Sequence, residues 1–125
     1  NNSSISVGGG CIFNGGTLTI TNSTFSDNSS NAGMGMGGGI DNRGTLTISG
    51  STFSNNSSAS GGGIGNWGGA VTITDSTFSS NSATNGGNGG GIYNDSDSTL
   101  TVTNSIFSGN SAYDGGGIYN RVYRK

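Results

Sequence analysis

The sequence predicts an all-β protein, a parallel β-solenoid with about three short strands per turn and roughly four to five turns of about 25–29 residues. Two observations predict it. The decapeptide GTLTITNSTF at 16–25 returns as GTLTISGSTF at 44–53, GAVTITDSTF at 69–78 and STLTVTNSIF at 98–107. Within each copy, apolar and polar residues alternate with period two, and no copy carries a 3.6-residue apolar stripe.

The full unit reads GGGIxN-x-GTLTITNSTFSxNS, and each part has a structural reason. The first strand surrounds Ile12, Ile40, Ile64, Ile92 and Ile118, each ending a glycine-rich run. In that run Gly38, Gly62, Gly90 and Gly116 should point inward where space is short, with neighbouring glycines supplying positive φ at a bend. The second strand is TLTIT, with Leu18/Ile20, Leu46/Ile48, Val71/Ile73 and Leu100/Val102 facing the core. Asn22 marks the bend after it. The third strand lies around STFSxN and buries Phe25, Phe53, Phe78 and Phe107, spaced 28, 25 and 29 residues apart. Length varies mainly before GGGI, which places that stretch on a loop. Residues 1–125 form one solenoid domain on this reading.

Composition agrees once the repeat is seen. The chain has 27 glycines, no proline and only 28% hydrophobic residues, a bias that would otherwise suit disorder. Few apolar side chains per turn cannot offset chain entropy, so hydrogen bonds between turns must contribute. Asparagine supplies them. Asn14, Asn42, Asn66, Asn94 and Asn120 form one column, and Asn28, Asn56, Asn81 and Asn110 another. An amide both donates and accepts, so stacked asparagines form ladders, and asparagine also tolerates left-handed backbone.

The GGGI and FxxN signatures, as in Gly38-Gly39-Ile40 with Phe53-Ser54-Asn55-Asn56, resemble the GGAI and FxxN repeats of polymorphic outer membrane proteins. The resemblance spans essentially the whole chain. It implies a right-handed parallel β-helix displayed outside the cell or at its surface, often as an adhesin or passenger domain.

Net charge is -2 with ten charged residues, so no basic patch tracks a phosphate backbone and no nucleic-acid partner is expected. No apolar run reaches the length of a membrane-spanning helix. The sole cysteine, Cys11, stands where other units have glycine and reads as a small packed residue. With no histidine and no glutamate, and with Asp27, Asp41, Asp75, Asp95, Asp97 and Asp114 dispersed along the repeat, no catalytic residues are assigned and an enzyme is not expected. Asp95 and Asp97 offer hard oxygens of the kind Ca²⁺ takes, but the remaining ligands of a recognisable loop are missing, so no cofactor is assigned.

Two surfaces are candidate binding sites. Outward threonines align as Thr17, Thr45 and Thr99; Thr19, Thr47, Thr72 and Thr101; and Thr21, Thr74 and Thr103, with Ala70 and Ser49 completing the columns. Threonine is an ordinary soluble strand former. The array also resembles the ice-binding faces of β-solenoid antifreeze proteins. Phe13, Trp67, Tyr93 and Tyr119 form an exposed aromatic set suited to sugar rings, a neighbouring chain or simple cross-turn stacking.

Residues 1–4 match Asn55-Asn56-Ser57-Ser58, and the chain stops where a TLTIT strand is due. The expectation is a slice of a longer solenoid or a subunit associating end to end. The functional expectation is therefore a non-catalytic extracellular structural or adhesive solenoid with a host-surface or glycan ligand. Ice binding is the first alternative, and a carbohydrate-binding or carbohydrate-active β-helix the second.

Overall fold

The computed structural model describes residues 2–4, 9–31 and 36–122, and it is a parallel β-solenoid of about four turns. Each turn contributes to four sheets rather than three. An isoleucine sheet stacks Ile12–Asn14, Ile40–Asn42, Ile64–Asn66, Ile92–Asn94 and Ile118–Asn120. A threonine sheet stacks Thr17–Thr21, Thr45–Ser49, Ala70–Thr74 and Thr99–Thr103. A phenylalanine sheet stacks Thr24–Ser26, Thr52–Ser54, Thr77–Ser79 and Ile106–Ser108. The additional sheet is short, built from Ser3–Ser4, Ser29–Ser30, Ser57–Ser58 and Ser82–Ala83. All pairings are parallel, and equivalent residues of successive units face one another, as in Ile64↔Ile92 and Phe53↔Phe78.

The extra sheet exists because the chain bends sharply after the phenylalanine strand. Asp27, Asn55, Ser80 and Gly109 hold φ between +55° and +63° there. A second corner, at Asn22, Gly50, Asp75 and Asn104, has φ of +48° to +58° and confirms the bend expected at Asn22. The left-handed residues are not the ladder asparagines, to which the sequence reading also gave that tolerance. At the first of these corners they are the residues just before them, because a ladder amide must point inward from extended backbone while its neighbour turns the chain.

The glycine expectation holds. Gly37, Gly61, Gly89 and Gly115 carry φ of +63° to +84°. At Gly62 a Cβ would sit 2.3 Å from the Gly90 carbonyl oxygen of the next turn, a position open only to hydrogen. Cys11 departs from expectation: it is exposed, and its sulfur lies 3.6 Å from the Asn2 amide nitrogen. It belongs to the first turn, against whose N-terminal side no further described turn packs.

The core runs as columns along the axis. Ile40, Ile64 and Ile92, Leu46 and Val71, Ile48 and Ile73, and Phe53 and Phe78 are essentially inaccessible. The phenylalanine rings stack face to face with centroids 4.7, 4.7 and 4.8 Å apart, which measures the axial rise directly. That near-parallel stacking follows from the strand spacing, and its centroid separation lies in the range that favours offset stacks.

Polar columns share the interior. The first ladder passes from Asn14 through Asn42, Asn66 and Asn94 to Asn120, each amide nitrogen donating to the next Oδ1 at 2.8–3.0 Å. The second runs from Asn28 through Asn56 and Asn81 to Asn110 at 2.9–3.0 Å. Its members also donate back to phenylalanine carbonyls, Asn56 to Phe25 and Asn81 to Phe53, both at 2.9 Å. Asn2 is a further rung, reaching Asn28 Oδ1 at 3.0 Å. Its match to Asn56 in the sequence was the available signal.

Serine forms a column that the sequence reading missed. The backbone N–H groups of Ser23, Ser51 and Ser76 each donate to the hydroxyl of Ser51, Ser76 and Ser105 at 3.1 Å. Each hydroxyl in turn donates to the carbonyl two residues earlier, as Ser51 does to Ser49 at 2.9 Å. The signal was a serine before every TF or IF pair.

Truncating Phe53 to alanine should cost about 3–5 kcal/mol, because the cavity opens inside a continuous stack. Asn56→Leu should cost at least about 2 kcal/mol by stranding the Phe25 carbonyl and the Asn28 donors. The exposed Ser108→Ala should stay within about 0.5 kcal/mol. Urea unfolding of the three variants checks this order.

Candidate functional site

The threonine sheet is positioned by its own inward residues. Leu18, Leu46, Val71 and Leu100, with Ile20, Ile48, Ile73 and Val102, fix one face of the strand to the core. Period-two geometry then commits the alternate residues to the outside. Thr17, Thr19, Thr21, Thr45, Thr47, Thr72, Thr99, Thr101 and Thr103 are exposed, while Ser49, Ala70 and Thr74 are half-buried. Register is one to one across all strands, with Thr19↔Thr47, Thr72↔Thr47 and Thr72↔Thr101. The three columns read from the sequence are thus real columns, spaced about 6.6–7 Å along each strand.

This array is uncharged, and each of its ten threonines carries one methyl and one hydroxyl. The hydroxyls are free to meet an external surface, because the strand backbone is satisfied by neighbouring turns. A flat lattice of this kind makes many weak, identical contacts and no deep one.

The aromatic set behaves differently. Phe13, Asp41, Gly65, Tyr93 and Tyr119 occupy one outward column of the isoleucine sheet. Trp67 folds back over Gly65, its Nε1 2.8 Å from where a Cβ on that glycine would lie. Trp67 and Tyr93 stack at 4.5 Å, and Tyr93 and Tyr119 at 5.3 Å. Tyr93 was expected to be exposed, but it is only 5% accessible because rings cover both its faces. Trp67 and Tyr119 are half-buried, and Phe13 alone is well exposed at 58%. Ring faces already stacked on one another are not open to sugars, so this column chiefly ties turns together.

Charged groups flank that column. Asp41 is fully buried and meets the Arg43 guanidinium at 3.1 Å. Burial holds its carboxyl above the ordinary 3.8, against the opposing hydrogen bond and charge of Arg43. Burial likewise pushes the Tyr93 phenol up, keeping it neutral. Asp95 is engaged by Arg121 at 3.3 Å and faces the Tyr93 hydroxyl at 3.5 Å. Asp97 is exposed in the turn that Ser98 N–H closes onto the Asp95 carbonyl. Among the described residues no group of three or more histidine, cysteine or acidic side chains is placed to hold a metal.

These features define a class: a parallel β-solenoid with an asparagine-laddered core and a hydroxyl-bearing outer sheet. The chain belongs to the right-handed β-helix family, whose model, described as the right-handed beta helix region, matches residues 1–120. No curated protein and no solved structure matches the chain. Among the described residues no helix is long and apolar enough to cross a membrane.

Since the Asp41 carboxyl is raised in the folded state, the fold favours its protonated form. That contribution is complete below 3.8 and is lost as pH rises through the folded value. Asp41→Asn keeps an acceptor for Arg43 without the buried charge. Its melting temperature relative to the parent should therefore be highest near neutral pH and fall back as pH drops toward 3.8. Thermal melts between about pH 3 and 8 test the sign.

Proposed function

We propose that the protein is a non-catalytic, extracellular structural and adhesive solenoid that meets its partner surface with the threonine sheet. One observation carries the proposal: ten threonines occupy twelve outward positions in one-to-one register on a face that nothing in the described structure covers. The interior asparagines are consumed by the ladders, and the outer threonine hydroxyls are the most regular polar chemistry on the surface. The lack of histidine and glutamate and the burial of Asp41 support a non-catalytic role. The extracellular part of the proposal rests on the resemblance to surface-protein repeats.

End-to-end self-association belongs to the same proposal. Ladder polarity is the feature such stacking would extend, because every rung among the described residues donates toward the following turn. A second copy would accept in that direction through Asn14.

Ice binding is a second reading, favoured by the two-dimensional regularity of the array. Its 4.7–4.8 Å axial repeat, read from the phenylalanine stack, is held by a rigid core.

Replacing Thr72, at the centre of the array, by tyrosine should disturb the lattice without touching the core. For a surface-binding face, retention on immobilised polysaccharides or cell-surface material should drop about tenfold, a loss of about 1.4 kcal/mol. Unchanged retention would sink the adhesive reading of this sheet. Thermal hysteresis abolished by the same substitution would select the ice-binding reading instead.

A further inference from the structure

At the corner between the threonine and phenylalanine sheets, the last two full turns enclose a groove of about 340 Å³ lined by Asp75, Ser76, Thr77, Asn104, Ser105 and Ile106. It breaks the repeat in two ways. Equivalent corner positions are Asn22 and Gly50 in the earlier turns, so Asp75 and Asn104 alone set a carboxylate beside an amide. Equivalent outward positions are Thr24, Thr52 and Thr77, so Ile106 alone puts a branched aliphatic side chain on that surface. Ile106 is 62% exposed and supports no core packing.

Both departures fall in one groove. The Asn104 amide donates to Asp75 Oδ1, which orients both side chains. The pair leaves the second carboxylate oxygen and the amide oxygen as acceptors and one amide proton as a donor. Left-handed backbone at Asp75 (φ +52°) and Asn104 (φ +49°) fixes the corner that presents them. The serine hydroxyls are spoken for: Ser76 and Ser105 donate to the Thr74 and Thr103 carbonyls.

We propose that this groove binds one uncharged, polyhydroxylated ring, a neutral pyranose unit of a surface glycan. Neighbouring ring hydroxyls donate to Asp75 and exchange hydrogen bonds with Asn104, while the C–H face rests on Ile106. The volume sits at the small end of ligand clefts, about 300–1,000 Å³, which suits one ring and not a polymer segment. Asp75 disfavours anions, and a single carboxylate is too few hard ligands for Ca²⁺. The proposal deepens the adhesive reading, adding a selective contact beside the threonine face, and it rests on that reading for its biological sense.

The test is a titration of the whole chain, isotope-labelled, with free methyl glycosides of neutral hexoses and N-acetylhexosamines, read by NMR. At least one glycoside should give saturable shifts at the Ile106 methyls and the Asn104 side-chain amide. Ile106→Thr, which restores the residue of the other turns, and Asp75→Ala should each weaken binding about fivefold or more, against about 1.4 kcal/mol for a full tenfold. Asp97→Ala, outside the groove, should leave it unchanged. No saturable shift with any glycoside, or saturation that survives Ile106→Thr, overturns the proposal. Free monosaccharides report on the groove alone and polysaccharide retention with Thr72→Tyr on the threonine sheet, so either reading can fail while the other stands.

Discussion

Successive turns of this chain bond to each other through their backbones, residue on equivalent residue, and the axial rise of 4.7–4.8 Å that results governs the rest of the structure. Parallel strand pairing requires that spacing whatever the side chains are. Every position of the repeat then becomes a column of near-identical side chains, and each column must be a chemistry that tolerates its own copy at that distance. Isoleucine, leucine and valine tolerate it by packing, phenylalanine by face-to-face stacking, and asparagine by donating to the amide ahead. A charged side chain does not, since like charges would stack. The chain accordingly holds only ten charged residues, and among the described residues no charged column forms.

The same constraint explains how so polar a sequence keeps a core. Asn42, Asn56, Asn66 and Asn81 are as inaccessible as the isoleucines. A buried amide with an unmet donor costs about 1–3 kcal/mol, so such residues survive inside only when the stack satisfies them. Here it does, turn after turn, and the ladder also blocks slippage. Shifting one turn by a residue would set Asn42 opposite Gly65 or Trp67 instead of Asn66 and leave amides on both sides unpaired. Hydrophobic burial favours compaction, but the ladders select the register.

Much of this was legible because the repeat reports its own register. Phe25, Phe53, Phe78 and Phe107 recur beside the same neighbours, so inward and outward faces, both ladders and the threonine columns could be placed from spacing. The fourth sheet was not legible, since Ser29–Ser30 and its equivalents carry no apolar residue larger than Ala83 and pair only because the corner before them delivers them. Contacts between non-equivalent positions were also hidden. The stretch from ladder asparagine to threonine strand holds two residues after Asn14 and Asn42, three after Asn66 and four after Asn94. Those insertions let Trp67 fold back over Gly65 and cover Tyr93, and no periodicity encodes that. The Asp41–Arg43 pair arises likewise from a substitution at a single turn.

Columns that are uniform serve stability, and departures from uniformity are where a solenoid acquires individuality. Because each turn buries its core residues against the next, a substitution on an outward column costs little and can be kept for what it offers outside. Thr17 through Thr103 are uniform and outward, so they present an extended lattice with no preferred point along it. Ile106 and Asp75 break two neighbouring outward columns at one corner and create a point. An extended face provides many weak contacts in sum, whereas a point provides selectivity, and a rigid axis fixes the distance between them. The register that forces sameness on the interior thus leaves the exterior free to combine the two.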